Sequence, residues 1–169
     1  KMPKIVLDAG HYGKYNKGAV AGYYESDMTW KLHNYLKAEL KTYGFEVETT
    51  RSNKDKDLKV YNRGLMAKGA DLFLSLHSNG AAQETPKRVV VIHPVSGKGK
   101  DLSKKLGDAV LNTMNLKKDK YWYTEITSRK YSESNPNQDY YGVIRGAVAA
   151  GSIGIIIEHS FHSNKEACK

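Results

Sequence analysis

The chain has 169 residues, with 27 Lys+Arg against 18 Asp+Glu, a formal net charge of +9 and a pI near 9.4. A chain of this length can bury roughly 70% of its extended surface, and 40% hydrophobic with 27% charged residues excludes wholesale disorder. A single cysteine, Cys168, excludes a disulfide framework or a multi-cysteine zinc module, and the longest apolar run, Ile153 to Ile157, is too short to cross a bilayer.

Strand-like and helix-like segments alternate along the chain, which predicts one α/β domain over residues 1–169, with a central, mostly parallel, twisted sheet flanked by helices. Lys4 to Asp8 reads as the first strand, closed by Ala9-Gly10, and Tyr12 to Gly22 as a Gly- and Lys-rich loop. A helix is predicted from Ser26 to Tyr43. Met28, Leu32, Leu36 and Leu40 recur four residues apart, Ser26 or Asp27 can cap its start, and Gly44 can end it. His33, among lysine and asparagine on this helix, is read as a surface residue.

Phe45, Val47 and Thr49 alternate with glutamates, as in a strand near a sheet edge. A weaker helix is read from Lys56 to Lys68, stopped by Gly69. Asp71 to Leu76 is a buried strand, Arg88 to His93 another ended by Pro94, and Asp101 to Met114 a helix. Lys117 to Gln138 has no clear period and is read as a long surface loop, with Tyr121, Trp122 and Tyr123 as candidate substrate contacts. Ile153 to Ile157 reads as a central strand.

Three functional groups leave strand ends in the same way: His11 after the first strand, His77 after Asp71–Leu76, and Glu158 after Ile153–Ile157. In an open α/β sheet, ligands gather beyond the carboxyl ends of the strands, so parallel neighbours would bring these three into one crevice. Glu25, at the start of the first helix, is a fourth candidate, and a helix N-terminus favours an ionised carboxylate. Two imidazoles and one carboxylate form a known catalytic zinc set, with a second carboxylate as general base. Spacing alone leaves open which glutamate is the ligand.

The pieces Leu7-Asp8-Ala9-Gly10-His11-Tyr12-Gly13, Glu25, Ser75-Leu76-His77-Ser78-Asn79 and Ile157-Glu158-His159-Ser160-Phe161-His162-Ser163-Asn164 stand in order along the chain. Thr50-Arg51 and Tyr61-Asn62-Arg63 lie between them. Together they resemble the zinc-dependent N-acetylmuramoyl-L-alanine amidases of the type-3 family, the hydrolases of phage endolysins and bacterial autolysins. The resemblance implies one zinc ion held by His11, Glu25 and His77, with Glu158 as the catalytic glutamate, cleavage of the bond between N-acetylmuramic acid and L-alanine, and lysis of the wall. Asn79 is a candidate substrate contact.

Two departures are visible. His159 stands where the family more often has glycine, which places an extra imidazole at the expected rim of the site. The family continues with a terminal helix packed on the sheet, whereas this sequence stops at Lys169, so a terminal helix and a separate wall-binding domain are expected to be missing.

His93 is read as structural, and His159 with His162 as a turn rather than a second metal site. No G-x-S-x-G, H-E-x-x-H or P-loop motif occurs, against the commonest serine hydrolase, metalloprotease and nucleotide hydrolase classes. A basic, non-catalytic module for nucleic acid or a wall polyanion is a second class, weakened because the lysines are scattered; a zinc peptidase on another amide is a third. The expected partners are peptidoglycan and, by charge, anionic wall polymers. Nucleic acid binding, membrane insertion and oligomerisation are not expected. The sequence opens directly into a strand-like run with no signal peptide, which fits an endolysin made in the host cytoplasm and acting on the cell wall.

Overall fold

In the computed structural model, which describes residues 2–169, strand β1 (Lys4–Ala9) leads through a long loop into helix α1 (Glu25–Thr42) and back to strand β2 (Glu46–Thr49). Helix α2 (Val60–Leu65) is shorter than its sequence pattern predicts and precedes strand β3 (Leu72–Asn79). Strand β4 (Val89–Ile92) and helix α3 (Lys100–Thr113) follow, then strands β5 (Thr124–Thr127), β6 (Lys130–Ser132) and β7 (Asn135–Asp139). Helix α4 (Gly142–Ala149) and strand β8 (Ile153–Phe161) complete the order.

Six strands form one sheet in the order β2-β1-β3-β8-β4-β5, and β6-β7 form a separate hairpin. All pairings in the large sheet are parallel except β4 with β8. The expected adjacency of β1, β3 and β8 therefore holds. These central strands are covered on both faces, which is why they read as apolar runs rather than alternating ones. Val6, Phe73 and Ile156 face α4 through Val143, Ile144 and Ala147. Leu7, Leu76 and Ile157 face the other way, with Leu32, Leu36 and Leu40 of α1 and Leu106 and Val110 of α3 against that core.

Two further sequence expectations are corrected here, and one element is new. The segment from Lys117 to Gln138 is not one loop: β5 pairs with β4 as an edge strand, and the β6-β7 hairpin follows. Its only strongly apolar strand position is Ile126, so local patterning could not announce it. Helix α4 was not anticipated. It crosses α2 at backbone contact, where a Cβ on Gly64 would lie 2.1 Å from the Val143 carbonyl oxygen and one on Gly146 2.1 Å from that of Tyr61. His33 is not on the surface but 2% exposed. It continues a buried stripe with Glu25 and Thr29, four residues apart, and stacks on Trp30 at 4.9 Å.

Candidate active site

Parallel pairing of β3 with β8 sets His77 opposite Glu158, so both side chains leave the sheet on the same face at its C-terminal edge. His11 lies just beyond β1 in a left-handed backbone conformation, φ 62°, which is strained for a residue with a Cβ. Two arginines hold that turn. Arg63 donates to the His11 carbonyl oxygen at 2.9 Å, and Arg51 to that of Ala9 at 2.9 Å. Tyr15 stacks on the His11 ring at 4.5 Å. Glu25, the first residue of α1, is 1% exposed and reaches over the strand ends.

His11, Glu25 and His77 each offer a ligand atom, and these atoms lie within 4.8 Å of one another. His11 Nε2 is 3.1 Å from Glu25 Oε2, and His77 Nδ1 is 3.0 Å from Glu25 Oε1. Asn16 Nδ2 donates to Glu25 Oε2 at 2.6 Å and the Ser78 amide N–H to Oε1 at 3.0 Å. Burial opposes ionisation of Glu25, but its contacts with His11 and His77 outweigh it and hold the carboxyl well below the usual range. The glutamate within the donor cluster is thus Glu25, and Glu158 stands beside it.

A directed chain of hydrogen bonds sets the His77 tautomer. Burial works against the Asp8 charge, but the Arg63 guanidinium and the Ser75 and Thr50 hydroxyls outweigh it and keep Asp8 ionised. An ionised carboxylate only accepts, so Ser75 must donate to Asp8 Oδ2, at 2.6 Å. Ser75 Oγ therefore accepts from His77 Nε2–H, at 3.0 Å. The Nδ1 lone pair of a neutral His77 then points at a carboxylate, an arrangement that needs a cation or a proton between the two. The donor set and this lone pair fit a divalent zinc ion. Without an ion the proton takes that place. Burial disfavours the imidazolium, but the Glu25 hydrogen bond and the Glu158, Glu25 and Asp8 charges outweigh it and raise the His77 pKa. The ring lies directly on Gly10, where any Cβ would come 2.4 Å from His77 Cε1.

Glu158 Oε2 is buried with no hydrogen-bond partner among the described residues. Burial pushes this carboxyl up from 4.5 to about 7; the His77 charge opposes the rise and the Glu25 charge adds to it.

A cleft of about 640 Å³ contains the cluster, Glu158 and Asn79, with Tyr140, Tyr141 and Arg145 on its α4 side. Tyr121, Trp122 and Tyr123 are not among its lining residues: Trp122 packs on the α1–α3 core and Tyr123 lies against Arg88. His159 is also displaced from the expected rim. It projects to the opposite sheet face from Glu158, and its Nδ1 lies 3.1 Å from the His77 carbonyl oxygen. Burial lowers this imidazole to about 4.

Sequence reasoning missed His162 and Asn16 at this site. Ser160 takes φ 61° where the β3–β8 register slips, and His162 then faces the cleft, with Nδ1 3.1 Å from the Ser78 carbonyl oxygen and 3.9 Å from Glu25. A register slip leaves no periodic signal. Asn16 sits in a loop, where the side-chain direction depends on the fold.

The sequence profile of the N-acetylmuramoyl-L-alanine amidase family matches residues 5–169. No curated protein matches the chain. Among solved structures, the chain is similar to Cwp6 from Clostridium difficile (24% identity, TM-score 0.80), covering 99% of this chain but only 26% of that one. It is also similar to the amidase AmiC2 of Nostoc punctiforme (20% identity, TM-score 0.75; 97% of this chain and 82% of that one). The CwlV catalytic domain from Bacillus (Paenibacillus) polymyxa var. colistinus is a third (19% identity, TM-score 0.72; 96% and 83%). At these identities the structural matches speak to the fold.

Proposed function

The chain belongs to the N-acetylmuramoyl-L-alanine amidase family, and from that premise we propose that it hydrolyses the amide between the lactyl carbonyl of N-acetylmuramic acid and the amine of L-alanine in peptidoglycan. In this reading His11, Glu25 and His77 hold one zinc ion and Glu158 is the general base. The observation that carries it is Glu158 Oε2, buried without a hydrogen-bond partner among the described residues, beside three clustered metal donors. Bound at this donor set, zinc would polarise the amide carbonyl and lower the pKa of water to about 7.

The residues of the chain do the rest. Asp8 and Ser75 hold the proton of His77 on Nε2, which leaves the Nδ1 lone pair for the metal, and Asn16 and the Ser78 amide N–H hold the Glu25 carboxylate in place. Glu158 takes a proton from the attacking water and delivers it to the departing alanine nitrogen. A carboxyl near pKa 7 suits both transfers at neutral pH. The +9 net charge favours approach to an anionic wall, an attraction that weakens with salt because the Debye length is about 8 Å at physiological ionic strength.

The test is turbidity of purified cell walls with the protein alone, with chelator, and after zinc is restored, followed by identification of the new amine. Clearing that stops with chelator, returns with zinc and releases peptides with a free L-alanine amine is expected. His11→Ala and His77→Ala should lose the metal. Binding that survives chelation without hydrolysis, or a new amine on another residue, would overturn the proposal in favour of a binding module or a different amide hydrolase.

A further inference from the structure

Arg145 has a place in the cleft that neither the metal donors nor Glu158 uses. It lines the 640 Å³ cleft and also an adjoining cavity of about 470 Å³ bordered by Tyr61, Asn137 and Gln138. Arg145 therefore stands where the cleft of the metal cluster adjoins the second cavity along the α4 wall.

That guanidinium is held on one side only. Nη1 donates to the carbonyl oxygens of Asp139 at 3.0 Å and Tyr140 at 2.5 Å, and the Tyr131 ring centroid lies 5.2 Å away. Nε and Nη2 donate to no acceptor among the described residues. Of the other arginines, Arg63 pairs with Asp8 and Arg88 with Glu125, while Arg51 donates to backbone carbonyl oxygens and Arg129 lies over the Tyr140 ring. Arg145 pairs with none among the described residues, and the neighbouring Asp139 accepts from the Val95 amide N–H at 2.8 Å. A half-buried arginine that borders a cleft, is anchored through Nη1 and keeps two donors free can take a carboxylate through its planar fork.

The proposed substrate has such a group on one side of the scissile bond. Hydrolysis leaves an amine on the peptide, and that peptide carries a carboxylate at its far end. The N-acetylated sugars on the lactyl side are uncharged. We propose that Arg145 anchors a carboxylate of the stem peptide, beyond the alanine, and so sets the enzyme's preference for the peptide part of its substrate. This rests on the amidase reading above.

The experiment compares a synthetic N-acetylmuramoyl-tripeptide bearing free carboxylates with the same compound fully amidated. Wild type should favour the free acid in kcat/KM by roughly tenfold to a hundredfold, the range for one charge-assisted bidentate contact, with the difference mostly in KM. Arg145→Gln should bring that ratio close to one, and Arg145→Lys should keep part of it. Equal hydrolysis of both substrates by wild type would overturn the proposal. So would an equal loss on both in Arg145→Gln, the mark of a residue that merely holds the Asp139–Tyr140 turn. Calorimetric titration of the free tripeptide and its amide reads the subsite without turnover. Preference for the acid, lost in Arg145→Gln, supports the subsite even if no amide is cut, whereas hydrolysis without any preference upholds the amidase and refutes the subsite.

Discussion

Replacing Glu158 by Gln should abolish turnover and also stabilise the metal-free fold, and the second effect can be worked from the structure. Burial raises the Glu158 pKa from 4.5 to about 7. Between these values the folded protein binds a proton that the unfolded chain has released, so ionisation favours unfolding and stability falls as pH rises from 4.5 through 7. The rise from 4.5 to about 7, at about 1.36 kcal/mol per tenfold change in acidity, amounts to about 3 kcal/mol above pH 7. Glutamine keeps the shape of the protonated acid and carries no charge. Metal-free Glu158→Gln should then melt roughly 6–12 °C above metal-free wild type at pH 8, using the 2–4 °C per kcal/mol typical of this size.

The assay is thermal and urea unfolding of both proteins in chelator at pH 4, 6 and 8. The gap should close by pH 4, where both states are protonated, and narrow at pH 8 when zinc is added, because a nearby dication stabilises the charged carboxylate. The coupling of Glu158 to His77 and Glu25 is already contained in its raised pKa, so it is not counted again in the difference. A gap independent of pH, or a variant less stable than wild type at pH 8, would refute a buried, high-pKa Glu158. Zinc content should match wild type while wall clearing falls by orders of magnitude.

Two further expectations follow from buried polar groups. Ser75→Ala removes the acceptor that holds His77 Nε2–H and a donor to the buried Asp8 carboxylate, so zinc affinity measured by chelator competition should fall roughly ten- to a hundredfold and stability by about 1–3 kcal/mol; unchanged affinity would show that the Asp8–Ser75 chain does not set the tautomer. His33 is buried with no hydrogen-bond partner on either ring nitrogen among the described residues, and burial lowers its pKa. Its neutral form is favoured in the fold, so the stability it contributes is present above pH 6.5 and lost as pH falls below it. His33→Phe, stacked on Trp30 in its place, should gain on wild type in melting temperature as pH drops from 7 to 5, and a constant offset would contradict this.

The strands that carry the site were legible because each is buried along its length and its composition reports that burial locally. The strand-exit positions of His11, His77 and Glu158 could be read from the same pattern. Glu25 was visible as the start of a helix. Which glutamate stands within the donor cluster, however, depended on α1 crossing the strand ends from the far face while Glu158 rose beside His77 by the β3–β8 register.

His33 misled because polar neighbours along the chain are not its neighbours in space; its position in a stripe with Glu25 and Thr29 settled its burial. Helix α4 and strand β5 lacked a strong period. One depends on glycine-to-backbone contact with α2, the other on pairing at an edge, and both are gains realised only when a distant segment arrives. His162 and Arg145 entered the cleft the same way, through a register slip and the α4 wall. Sequence by itself determined which strands were buried and which reactive groups stood at their ends, since those depend on local composition. Only the tertiary structure decided which of those groups face one another, because side-chain direction at a strand end or in a loop is set by contacts far away in the chain.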